Sequence, residues 1–219
     1  MRTRAIRIGA LIVAGATAIG CARHPPPPPL TAGEPPPTAA DLPLPDRIPG
    51  DLTLRQKLTA QSTQGGGTFE TILQKRPDLL RVLGLTPFGT RAFLLEQRGH
   101  QVTFTSYIPR DLPFPPTFML LDIHRVFDVW LAGPPPTDGD RSGTVGDEQI
   151  SERWQAGRLV QRIFNRNRNL TPAQPASTVT ITYTGQVQPN ASPGVAADIV
   201  LANDHFGYRL SIHNVPAGN

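Results

Sequence analysis

Between Leu52 and Ile212, apolar and polar residues alternate one for one in run after run, a period of two that confines this part of the chain to half-buried β-strands. Leu52, Leu54, Leu58 and Ala60 interleave with Thr53, Arg55, Lys57 and Thr59, and Val179, Ile181 and Tyr183 interleave with threonines. The first runs, residues 52–60, 68–75, 79–84, 90–97 and 100–107, are separated by Gly65-Gly66-Gly67, Pro77-Asp78, Thr86-Pro87 and Arg98-Gly99. Short strands punctuated by such turns predict an antiparallel meander.

The pattern then changes. After Pro109, Pro113, Pro115 and Pro116, residues 117–131 place Leu120, Leu121, His124, Phe127, Val129 and Trp130 at helical spacing. A helix is expected here, capped by Thr117 and stopped by Gly133-Pro134-Pro135-Pro136. Residues 137–146 read as a polar loop, in which Asp138-Gly139-Asp140 is a turn rather than a metal site. Alternation resumes at residues 149–154, 158–165, 178–185, 198–202 and 205–212, with a hairpin turn at Gln155-Ala156-Gly157. The expected fold class is α+β, mostly β, with about ten strands in a one-sided antiparallel sheet and a helix laid across it.

The first fifty residues have another character. Arg2, Arg4 and Arg7 precede an apolar run, residues 8–19, too short to span a bilayer of about 30 Å, and this is the pattern of a secretory signal. The signal ends in Ala18-Ile19-Gly20-Cys21, which resembles a bacterial lipobox and holds the only cysteine of the chain. That resemblance implies cleavage before Cys21, a diacylglyceryl group on its thiol and a palmitate-type chain on its new amino group. Two or more acyl chains give stable attachment. Ala22 in place of an Asp favours the outer membrane of a Gram-negative bacterium, with the domain facing the periplasm. Eleven of the 25 prolines fall between Pro25 and Pro49, so residues 21–50 read as an extended tether on the lipidated cysteine. The expected division is signal peptide 1–20, tether 21–50 and folded domain 51–219.

The formal charge of +4 comes largely from the signal. Without its three arginines, Lys plus Arg falls from 21 to 18 against 17 acids, and no phosphate-backbone partner is expected. Arg162, Arg166 and Arg168 read as a solvated strand end. One cysteine excludes an internal disulfide and a Cys₂ or Cys₄ metal site. His24, His100, His124, His205 and His213 are scattered, so neither a metal nor any other cofactor is expected. Glu70, Glu96, Asp111 and Asp122 have no spacing that argues for an acid–base pair. No nucleophile elbow, phosphate loop or dinucleotide fingerprint occurs, and an enzyme is not expected.

Leu83-Gly84-Leu85-Thr86-Pro87-Phe88-Gly89-Thr90, followed by Phe93-Leu94-Leu95-Glu96, resembles a loop of the LolB-type outer-membrane lipoprotein receptors. In that group the loop is Pro-Leu-Gly, and its exposed Leu enters the membrane during delivery; Phe88 occupies that slot here. Leu112-Pro113-Phe114-Pro115-Pro116 and the stretch from Asn203 to Ile212 are similar to motifs of a bacterial lipoprotein family carrying a domain of unknown function. The resemblance implies an incomplete LolA/LolB-type barrel, with the helix covering its concave face. It further implies a monomer that binds or transfers an apolar acyl-type cargo, a lipid or a lipoprotein. Phe93, Leu95, Val102, Phe104, Leu121, Phe127, Trp130, Val179, Ile181 and Tyr183 are the expected lining, and Phe88 the expected membrane or cargo contact. A second reading is an interaction lipoprotein that recognises another envelope protein without lipid cargo.

Overall fold

A computed structural model describes residues 37–63, 65–109, 115–146, 148–166, 177–185, 195–204 and 206–215. The expectations for Cys21, His24, Asp111, Arg168 and His205 fall outside these residues. Among the described residues, eleven strands form one antiparallel sheet: β1 (Leu52–Ser62), β2 (Gly65–Arg76), β3 (Leu79–Leu85), β4 (Arg91–Arg98), β5 (Gln101–Ser106), β6 (Gly139–Val145), β7 (Glu148–Gln155), β8 (Arg158–Arg166), β9 (Ser177–Thr184), β10 (Asp198–Asn203) and β11 (Tyr208–Val215). One α-helix, α1 (Pro116–Phe127), lies between β5 and β6 in sequence. The spatial order is β5-β4-β3-β2-β1-β11-β10-β9-β8-β7-β6. Two meanders are therefore joined where the first strand pairs with the last. The open edges are β5 and β6, the two strands that α1 connects.

The register carries one parity across the whole sheet. Leu73 of β2 sits between Leu54 of β1 and Val82 of β3, and Val82 in turn faces Leu95 of β4. On the other half, Ile212 faces Ile199, and Leu201 faces Ile181. This is the single apolar face that alternation demands. Its side chains form two clusters, one around Leu54, Leu80, Leu95 and Leu120 and one around Ile150, Phe164, Ile181 and Leu201. Between them runs a polar rung: Thr71 Oγ1 donates to Gln56 Oε1 at 3.3 Å, and Gln56 Nε2 donates to Asn214 Oδ1 at 2.8 Å. These three residues are buried and lie side by side on β2, β1 and β11, so each satisfies its neighbour.

Three local features follow directly from sequence. Ala156 and Gly157 both have positive φ, 50° and 71°, as the two-residue turn between β7 and β8 requires. Gly84 is needed for close approach, because a Cβ there would fall inside the Phe93 ring. The helix begins on Pro116, whose missing N–H is harmless in a first turn.

Several boundaries differ from expectation. Thr117 does not cap α1; the N-cap is Pro115, and the helix ends at Phe127 rather than 131. Asp128 leaves the helix in an extended conformation, and Trp130 turns back so that its indole N–H donates to the His124 carbonyl at 3.0 Å. Residues 137–146 were expected as a loop, but residues 139–145 form β6, an edge strand paired with β7. Its polar composition is that of an edge, where one side of the strand faces water. Only Arg141, Gly143 and Val145 turn inward, and a Cβ on Gly143 would come within 2.9 Å of Leu131 Cδ2.

The expected tether is also shorter than residues 21–50. Residues 39–41 and 45–47 form two 3₁₀ turns, and Leu42 and Ile48 are 2% and 1% exposed within the core. Lys75 Nζ donates to the Gly50 carbonyl at 2.7 Å, and Gln97 Nε2 to that of Pro43, also at 2.7 Å. Proline here shapes a packed segment, and the folded unit reaches back to about residue 38.

Candidate functional site: the helix-bearing face and the Phe88 tip

The helix is fixed to the sheet by polar contacts on both halves. Orphan carbonyls at a helix C-terminus need donors, and in α1 the sheet provides them. Arg162 of β8 donates through Nη1 to the Arg125 carbonyl at 2.7 Å, and the Tyr183 hydroxyl of β9 donates to that of Val126 at 3.0 Å. A guanidinium at this end also complements the helix dipole. Arg162 was expected to be solvated, yet it is 4% exposed. Its charge is met by Glu152, whose Oε1 accepts from Arg162 Nε at 2.9 Å and whose Oε2 accepts from Arg141 Nε at 2.7 Å.

A second set of contacts holds the helix to the other strands. Asp122 accepts a short hydrogen bond from the Tyr208 hydroxyl, and Asn203 Nδ2 donates to that hydroxyl at 3.3 Å. The Asn203 side chain also accepts from the Phe206 amide, so the stretch from Asn203 to Tyr208 builds a hairpin aimed at the helix. Burial raises the Asp122 carboxyl above its ordinary value. Burial, and Asp122 beside it, raise the Tyr208 hydroxyl further still, so Tyr208 keeps its proton and donates. Arg125 bridges Asp122 and Glu148, at 3.4 and 2.8 Å. On the opposite side, His124 Nε2 lies 2.9 Å from Gln97 Oε1. Gln97 uses its amide N–H groups on the Pro43 and Gly99 carbonyls, so Nε2 of the histidine carries the proton and donates.

Two of these groups give a pH prediction. Burial, reinforced by Arg47, holds His124 down at about 4, from an ordinary 6.5, while burial pushes Asp128 up to about 6, from 3.8, against the pull of Arg47. As pH falls from 6.5 to 4 the unfolded chain protonates His124 before the folded one does, so this residue costs stability in acid. Asp128 works the other way: the folded chain takes its proton first, and a penalty present at pH 7 disappears as pH falls through about 6. Urea unfolding should therefore show His124→Gln gaining on the parent between pH 6.5 and 4. Asp128→Asn should show its advantage at pH 7 and lose it by pH 4.

Of the ten expected lining residues, seven lie on strands and three, Leu121, Phe127 and Trp130, on or just after α1, and they divide between the two clusters. Phe93, Leu95, Val102, Phe104 and Leu121 belong to one, and Trp130, Val179, Ile181 and Tyr183 to the other. Phe127 packs against both. They make close contacts, such as Phe93 with Phe104 at 6.0 Å between ring centroids and Trp130 edge-on to Phe164 at 5.1 Å.

Phe88 stands apart from this packing. It is 93% exposed at the tip of the β3–β4 loop. The loop beneath it is well built: the Thr86 amide donates to the Thr90 carbonyl at 2.8 Å, the Gly89 amide to the Thr86 carbonyl at 2.9 Å, and the two threonine hydroxyls meet at 2.8 Å. Tyr107 and Ile108, just after β5, are also exposed, and the Tyr107 amide donates to the Ala92 carbonyl at the start of β4 at 2.9 Å.

Of the other residues considered, Glu70 pairs with Arg55 and Glu96 with Arg81. Among the described residues no group of His, Cys, Asp and Glu is arranged to hold a metal ion, and no helix is long and apolar enough to cross a membrane. The ionic contacts around Arg125, Glu148, Glu152 and Arg162 were not anticipated. Their signal was parity: Glu152 occupies the same side of its strand as Ile150, and Arg162 the same side as Phe164.

The model of a family of proteins of unknown function (DUF3261) matches residues 53–216. The chain belongs to this family. The match spans all eleven strands and the helix, but not the Pro-rich approach from residue 37 onward. No curated protein matches the sequence. Among solved structures, a crystal structure from Vibrio parahaemolyticus, described as an outer membrane lipoprotein-sorting protein domain, is similar at 12% identity. The similarity covers 75% of this chain and 83% of that one, with a TM-score of 0.42.

Proposed function

We propose that this DUF3261 protein is a lipoprotein anchored through Cys21 in the outer membrane of a Gram-negative bacterium, and that its LolB-like domain binds or transfers an apolar acyl-type cargo in the periplasm. The observation that carries the proposal is Phe88. A phenylalanine left 93% exposed on a hydrogen-bonded loop has no role in the core, and it adds apolar area at the point where the protein would meet a membrane or an acyl chain.

The sheet's geometry supports a place for cargo. Gln97 of β4 and Glu148 of β7 both contact α1 and stand eight strand intervals apart in the order of the sheet. On a flat sheet that is about 38 Å, whereas a helix of 12 residues is about 18 Å long and 10–12 Å wide. A curled sheet would remove the mismatch, which supports the reading of an incomplete barrel with α1 over its concave face. An acyl chain taken up there would lie among the two apolar clusters and displace contacts of Phe93, Phe104, Phe127 and Trp130.

Native mass spectrometry of the protein extracted from membranes tests this reading. A bound lipid or acylated peptide at about one per chain is the expected result. Lipid-free protein with one stoichiometric protein partner would instead support the interaction reading.

A further inference from the structure

Residues 38–50 lie outside the residues matched by the family, 53–216, yet they pack onto strands within that match. Leu42, Pro45 and Ile48 are buried at intervals of three, as the threefold backbone of 3₁₀ turns and Pro-rich sequence requires, while Leu44, Asp46 and Arg47 are exposed. Leu42 and Ile48 join the cluster of Leu54, Leu80, Leu95 and Leu120, so the segment covers apolar surface of the helix-bearing face. Its polar contacts also use side chains of that face. Lys75 and Gln97, 4% and 0% exposed, donate to the Gly50 and Pro43 carbonyls. Arg47 Nε lies 3.1 Å from Oδ2 of Asp128, whose side chain is wholly buried, while 40% of the Arg47 side chain is exposed. The two form an ion pair without an aligned hydrogen bond, and among the described residues neither Asp128 oxygen has a hydrogen-bond donor.

We propose that residues 38–50 are a built-in stand-in for cargo, and that the ligand displacing them is a zwitterionic amphiphile of the phosphatidylethanolamine type. Each contact of the segment has a counterpart in such a molecule. An acyl chain replaces Leu42, Pro45 and Ile48 over Leu80, Leu95 and Leu120. Phosphate or ester oxygens replace the two main-chain carbonyls at Lys75 and Gln97. The ammonium replaces Arg47 at Asp128, and this cation is essential, because Arg47 leaving alone strands a buried carboxylate without a partner. An ammonium also brings three donors to oxygens that have none. The helix does not take part in the exchange. Arg162, Tyr183 and Tyr208 seat it through contacts in which the segment has no share, so the segment leaves and α1 stays.

The inference rests on the reading of this face as an acyl-cargo site, and one experiment separates the two. Full-length protein in a nonionic detergent is titrated with myristoyl lysophosphatidylethanolamine or myristoyl lysophosphatidylglycerol, which share chain and phosphate and differ in the amine. Binding is read by native mass spectrometry and amide hydrogen exchange by peptide mass. The ethanolamine lipid should bind about tenfold more tightly, the worth of a hydrogen-bonded charge at Asp128. Its binding should speed exchange in residues 38–50, whose Asp41, Arg47 and Ile48 amides donate within the two turns, and leave residues 116–127 unchanged. Arg47→Gln, which weakens the internal competitor, should bind the ethanolamine lipid about fivefold more tightly than the parent. Asp128→Asn should bind the two lipids equally. The exchange result on the parent decides the matter even where a variant folds poorly. Lipid bound with exchange of residues 38–50 unchanged or slowed would overturn the stand-in and leave the cargo reading. Equal binding of the two lipids by the parent would overturn the role of Asp128, and the proposal with it. Binding of neither lipid, by the parent or by Arg47→Gln, would overturn the cargo reading as well.

Discussion

Replacing Glu152 by Gln is expected to destabilise the fold by about 3–5 kcal/mol, the cost of leaving a buried charge without its partner. The side chain of Glu152 has no exposed surface, and that of Arg162 is 5% exposed. The carboxylate meets Arg162 and Arg141 on the adjoining strands and accepts from the Trp154 indole at 3.2 Å. Glutamine keeps the shape but removes the charge and turns an amide N–H₂ toward a guanidinium. Arg162 also caps the Arg125 carbonyl, so the loss reaches the helix as well as β6, β7 and β8. Denaturant unfolding at neutral pH measures it. The Asp140–Arg153 pair, 63% and 55% exposed, is the control, and its removal should leave the midpoint unchanged.

The fold was legible in sequence wherever one side of a strand faces oil and the other water. The runs around Leu54, Val82, Leu95, Ile181 and Ile212 announced strands whose shared face the register confirms. β6 was hidden because an edge strand needs few apolar residues, and Arg141, Gly143 and Val145 give little contrast with their neighbours. Residues 38–50 were hidden for a different reason. Proline signals an extended backbone but says nothing of whether the intervening Leu42 and Ile48 find a core. The residues of the helix-bearing face were readable as apolar, whereas the hydrogen bonds that seat the helix join the Asp122 carboxylate to Tyr208 and the Arg125 carbonyl to Arg162 across long stretches of chain. Local spacing cannot reveal pairs of that kind. Phe88 was conspicuous between Pro87 and Gly89, but its exposure depends on the loop standing clear of the sheet.

That exposure makes Phe88→Glu the variant with the largest functional effect. Burying a phenylalanine side chain contributes about 1.5–3 kcal/mol, and placing a carboxylate at the same point adds the cost of desolvating a charge. A loss of membrane affinity on the order of 100-fold follows, with folding untouched because the ring makes no core contact. The measurement is vesicle partitioning of the folded domain and its Phe88→Glu variant, with unfolding midpoints determined in parallel. The account predicts equal midpoints and a partition coefficient about two orders of magnitude lower for the variant. Equal partitioning of the two proteins would contradict it.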